Sequence, residues 1–148
     1  MNKFRLLSYL FAALFLVTLF SCNNNDDNSV APDKNQLLTA HPWKGDALYL
    51  NGYKVDNNST ALDISSFKVT FKDDRTYSAT YDYNGSTQSE QGLWDLKENN
   101  TKMNFPFLNE PGELSDVTRL TENNFDVSTI FTLDDGTKQA VELRFVKQ

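Results

Sequence analysis

The sequence predicts an all-β fold of eight antiparallel strands in up-and-down order, wrapped into a barrel behind a cleavable N-terminal segment. Three observations carry this. Apolar and polar residues alternate in Phe67–Phe71, Tyr77–Tyr81, Phe125–Ser128 and Val141–Phe145, the period of a strand with one buried face. Turn residues separate these runs about every dozen positions: Asp73-Asp74, Asn84-Gly85, Asn99-Asn100, Pro111-Gly112, Asn123-Asn124 and Asp135-Gly136. No helical periodicity interrupts them, so a parallel sheet would have no crossovers to build it.

The chain opens on Met1-Asn-Lys-Phe-Arg5, continues through a mostly apolar run from Leu6 to Phe20, and reaches its single cysteine at Cys22. A basic start, an apolar middle and small residues before a cut are the parts of a secretory signal. The run falls short of the ~20 apolar residues a confident spanning helix needs. Residues 1–21 are therefore expected to be removed, 22–33 to form a flexible tether, and 34–148 to form one domain. The tether, rich in Asn and Asp, lacks the apolar content to pack.

Asp33 is placed to cap one short helical turn through Leu38, with Gln36 three residues on and Pro42 to stop it. Six turns join seven strands, and the stretch from Trp43 to about Val55 adds an eighth. A meander of this length loses its exposed edges by closing on itself. Pro106 cannot donate to a ladder, so the strand over 101–108 is expected to be short, bulged or at a partial opening. Trp94 is expected on the inner face of the fourth strand, with Gly92 on the same face making room for a large neighbouring ring.

The box Leu19-Phe20-Ser21-Cys22 resembles the lipobox of bacterial lipoproteins. The resemblance implies that Cys22 becomes the N-terminus and carries acyl chains, palmitate among them, and that the membrane is a partner through this anchor. Asp26-Asp27 resembles the surface-export signal of Bacteroidota-type lipoproteins, which implies an outer-membrane, surface-exposed address. Further on, Trp43, Phe71-Lys-Asp-Asp-Arg-Thr-Tyr77, Gly92-Leu-Trp-Asp-Leu96 and Val117–Phe125 resemble the bacterial lipocalin-like domain family, part of the calycin group. That implies a non-catalytic β-barrel. His41-Pro42-Trp43 stands where true lipocalins have Gly-x-Trp.

Composition excludes some functions. The formal net charge is −6, and removing the signal with Lys3 and Arg5 makes the chain more acidic still, which argues against nucleic-acid binding. His41, the only histidine, precedes a proline with no nucleophile motif near it. Asp73-Asp74 and Asp134-Asp135 sit in turns, where Asp serves the backbone, and lack calcium-loop spacing. No catalytic residue, metal site or cofactor is expected. Arg119 lies on a strand in phase with Val117, its direction left open by alternation.

Two functional readings remain. Eight strands enclose an interior that side chains either fill or leave open for one small ligand. If a ligand is bound, it is small and apolar and sits among Phe71, Tyr77, Tyr81, Trp94 and Phe125, with the tyrosine hydroxyls fixing its orientation. The alternative is an accessory protein with a packed interior that meets a protein partner at the cell envelope. A membrane-spanning barrel has alternating strands too, but the lipid anchor would make it redundant.

Overall fold

The structure, a computed structural model, describes residues 33–56, 61–108, 112–132 and 135–148; the signal, Cys22 and the tether to Pro32 lie outside them. A helix, α1 (Lys34–Thr39), is capped by the Asp33 carboxylate, which accepts from the Asn35 N–H at 3.0 Å. Ten strands follow: β1 (Trp43–Leu50), β2 (Tyr53–Lys54), β3 (Leu62–Phe71), β4 (Thr76–Tyr83), β5 (Ser86–Leu93), β6 (Asp95–Lys97), β7 (Lys102–Asn104), β8 (Ser115–Leu120), β9 (Asn124–Thr132) and β10 (Lys138–Lys147). All pairings are antiparallel, in the order β5-β4-β3-β1-β10-β9-β8-β7-β6, with the two-residue β2 beside β1. First strand pairs with last, so the meander closes as expected. Asp73-Asp74, Asn84-Gly85, Asn99-Asn100 and Asp135-Gly136 fall between strands, Asn123-Asn124 runs into the first residue of β9, and Pro111 lies outside the described residues.

The eight-strand count changes at two places: the expected first strand turns back at Asn51-Gly52 into β1 and the short β2, and the fourth is interrupted. The expected fourth strand breaks at Trp94: its upper part, β5, pairs with β4, and its lower part, β6, pairs with β7. Among the described residues no ladder joins β5 to β6, so the barrel is nearly rather than fully closed. The opening falls beside the strand that Pro106 shortens to Lys102–Asn104.

The switch is built around the Trp94 indole. Its backbone N–H donates to the Arg75 carbonyl at 2.9 Å. Its ring N–H reaches the carbonyls of Lys72 (3.1 Å) and Thr76 (3.0 Å). The ring is buried against Phe71, 5.5 Å between centroids, and the Arg75 guanidinium lies 4.8 Å over its outer side.

Turn chemistry is as the sequence dictates. Asn84 and Gly85 both have positive φ (51° and 73°), the two-residue hairpin that suits strand twist. The Asp74 carboxylate accepts from the Thr76 N–H and hydroxyl, and that of Asp135 from the Thr137 N–H, so both serve the backbone.

A register shift between Val117 and Arg119 decides the direction that alternation left open. Val117 pairs with the inward Val127, but Arg119 pairs with Asp126 on the outer face. The extra residue in β8 breaks the phase between them. Arg119 then holds Asp126 through two bonds, at 2.7 and 3.1 Å, and Arg144 lies 3.9 Å away on the other side. The covered Asp126 is 5% exposed although it points outward.

Candidate functional site

Most inner-face residues at the helix end and in the middle of the barrel are fully buried, Val117 and Leu120 of β8 being partly so, and partial burial becomes the rule towards the far end. The helix end is closed by Leu38 and Trp43, whose indole N–H donates to the Leu38 carbonyl at 2.9 Å. His41 packs on Trp43 there, with Nε2 2.9 Å from the Glu122 carbonyl, tying the β8–β9 turn to the start of β1. Above them stand Phe67, Phe71, Tyr77, Trp94, Phe105, Phe125 and Phe145, each at most 1% exposed. A cavity wide enough for water would leave accessible surface on the rings lining it, and these have almost none.

Four of the five ligand-contact residues expected from the sequence belong to this packed layer. Phe71 is its centre, with ring centroids 6.2 Å from Tyr77, 5.5 Å from Trp94 and 5.7 Å from Phe125, mostly tilted or edge-on. Tyr81 does not join them. It stacks on Phe67 at 5.4 Å and meets Phe107 edge-on at 5.0 Å, one layer nearer the far end.

The Tyr77 hydroxyl, expected to seek a ligand oxygen, is served by the protein. It donates to Glu90 Oε1 at 2.8 Å and accepts from the Phe107 backbone N–H. Burial, and then the Glu90 carboxylate, raises its pKa well above the ordinary tyrosine range. Gly92 allows this: a Cβ there would lie 2.7 Å from Tyr77 Cε1.

At the far end the inner-face side chains are less deeply buried. Leu50, Val55, Leu62, Tyr81, Phe107 and Val141 are only partly buried and pack onto the core from above. The registers bring them together, since Leu50 pairs with Val141, and Leu62 with Tyr83 beyond Tyr81. Tyr83 (48% exposed) and Phe131 (37%) continue the same inner face to the rim. This apolar cup is the candidate binding site, and of its six residues only Tyr81 is among the ligand contacts expected from the sequence. Alternation along a strand gives the face a residue points to but not its height along the barrel. Inner-facing residues next to the turns Asn51-Gly52, Asn84-Gly85 and Asp135-Gly136 share one end, and the order of those turns in the meander could have located them.

Two shallow depressions lie elsewhere. One of about 500 Å³ is lined by Ser78, Gln91 and Leu93 on the outside of β4 and β5, with Tyr77 and Gly92 at its floor. The other, about 350 Å³, lies by Lys102, Asp116 and Ile130. Neither includes Phe71, Trp94 or Phe125.

No family model matches the chain. No curated protein matches it either. Solved structures of similar arrangement include bovine odorant-binding protein in complex with a selenium-containing odorant. It has a TM-score of 0.49 at 13% identity, over 78% of this chain and 76% of that one. The odorant-binding protein from bovine nasal mucosa has a TM-score of 0.47 at 15% identity, over 78% and 74%.

Proposed function

We propose that this chain is a lipid-anchored outer-membrane lipoprotein whose barrel is a non-catalytic module, holding a small apolar ligand in the cup at its far end. The gradient of burial carries the binding half of this reading. Below Tyr81 the rings leave no space, whereas the six cup residues keep apolar surface that a ligand would remove from water, about 25 cal/mol for each Å². A shallow cup buries less than an enclosed pocket, so affinity in the micromolar range, about −8 kcal/mol, is the expected order.

Titrating the full chain with fatty acids, sterols, retinoids and haem tests it. One of these classes should raise the melting temperature. Leu62→Glu and Val141→Glu, which place a carboxylate in the cup, should each remove that rise. Trp94 emission should stay unchanged, because the indole lies at the other end. A quenched Trp94 would put the ligand in the deep interior instead.

The anchor half rests on Leu19-Phe20-Ser21-Cys22 and the acidic pair Asp26-Asp27. Each acyl CH₂ buried in lipid contributes about 0.8 kcal/mol, so two or more chains hold a domain on a membrane where one does not. Cys22→Ser should therefore move the protein from the membrane fraction to the soluble one. Retention equal to wild type would refute the lipobox reading.

A second reading, docking of an envelope protein on the same end, is favoured by the exposure there of Tyr53 (80%), Tyr83, Ile130 (59%) and Phe131. Absence of any small-molecule response, with loss of a co-purifying protein on Tyr53→Ser and Ile130→Ser, would select it.

A further inference from the structure

Among the described residues the break at Trp94 leaves β5 with no strand paired on one side, and that edge lacks the features that usually block pairing. Natural edge strands carry Lys, Pro or a bulge that stops another strand from adding to them. Ser86-Thr-Gln-Ser-Glu-Gln-Gly-Leu93 has neither Lys nor Pro, and its register with β4 runs without a shift from Tyr83↔Ser86 to Thr76↔Leu93. Its one charge, Glu90, is turned inward onto the Tyr77 hydroxyl. Six of its eight residues are exposed, on both faces of the strand.

The direction of its free backbone groups follows from the hairpin. Trp94 N–H donates to the Arg75 carbonyl, and the Tyr83↔Ser86 pair closes the two-residue turn. In an antiparallel ladder bonded and non-bonded pairs alternate. Ser86, Gln88, Glu90 and Gly92 therefore bond to β4, while Thr87, Ser89, Gln91 and Leu93 aim their N–H and C=O groups away from it.

We infer that β5 pairs antiparallel with β5 of a second copy of this chain, about a two-fold axis at Ser89. The side chains select this occupant and this register. An axis at Ser89 sets Gln88 opposite Glu90 of the second copy, and Thr87 opposite Gln91. Each carboxylate thus meets an amide that can donate to it, and Ser89 meets its own hydroxyl counterpart. An axis one residue on, at Glu90, would set the two carboxylates against each other at about 4.5 Å between Cα atoms. The Ser89-centred pairing forms about six backbone hydrogen bonds and joins β4 and β5 of both copies into one sheet.

Site-directed crosslinking on the full chain in its own membrane tests this, with the unsubstituted chain as the blank for Cys22. Opposed residues of a bonded pair have Cα atoms about 5.5 Å apart, which suits a disulfide. Under mild oxidation Ser89→Cys should give a covalent dimer at least tenfold more abundant than Thr87→Cys or Thr80→Cys, the last on the outside of β4. Thr87→Cys combined with Gln91→Cys should link again. Adding Gln88→Lys to Ser89→Cys should speed the link severalfold, since Lys would face Glu90, and adding Gln88→Glu should slow it severalfold. Equal linking of Ser89→Cys and Thr80→Cys, an unmoved rate in both Gln88 variants, or capture of a different protein at Ser89→Cys would overturn the proposal.

Discussion

Trp94→Ala is expected to lower stability by about 3–5 kcal/mol, read from denaturant or thermal melts of the full chain. The ring is 1% exposed and packs edge-on to Phe71. Losing its N–H matters less than losing its volume. The Lys72 carbonyl keeps the Arg75 N–H, and the Thr76 carbonyl keeps the Lys72 N–H, so neither is left without a donor. Trp94→Phe, which retains most of the ring, should therefore cost well under half as much. The residue is also where one strand leaves β4 for β7, so the alanine variant should loosen β5 and β6 together. A loss below about 1 kcal/mol would mean that the side chain is not in the core.

Gly45→Ala should be nearly as damaging, by about 3 kcal/mol or more, for a reason outside the hydrophobic count. A Cβ on Gly45 would lie 2.1 Å from the Ile64 carbonyl oxygen and 3.0 Å from Phe67 Cβ. The first of these is backbone, which cannot rotate away. The close approach arises because β1 pairs with β3 only at Trp43 and Lys44. Beyond them the stretch of β3 whose register with β4 shifts between Asp63 and Lys68 brings Ile64 and Phe67 against Gly45. Gly52→Ala, at a turn glycine with nothing within 4 Å of the added Cβ, is the comparison. It should cost only the strain of its φ of 82°, about 1 kcal/mol. Equal losses at the two positions would remove the steric argument.

The packed layer of rings also changes where function is sought. An interior residue of an eight-stranded barrel touches a ligand or touches its neighbours, and which of the two depends on volumes supplied by other strands. Phe105, between Phe71 and Tyr77 at 5.4 and 5.0 Å, fills space that a ligand would otherwise need. It comes from the segment after the shortened β7, where the alternation of Met103, Phe105 and Phe107 with polar neighbours or Pro106 marks it as inward but not the height at which it fills the barrel.

What the chain determines by local chemistry alone is the strand content, the turns and the inner face of most strands. Alternation in Phe67–Phe71 or Val141–Phe145 acts over a few residues, and the Asn84-Gly85 hairpin needs only its own two backbones to take positive φ. Three matters had to wait for the tertiary structure, and each depends on contacts between distant strands. The bulge that turns Arg119 outward exists because Asp126 on β9 receives it. The break at Trp94 exists because the carbonyls of Lys72 and Thr76 hold the indole while Pro106 leaves β7 too short to continue the ladder. The separation of a sealed lower barrel from an apolar cup above it exists because ring volumes from several strands add up at one height and not at the next. Alternation along one strand carries no information about that height, since register and closure are properties of the whole sheet.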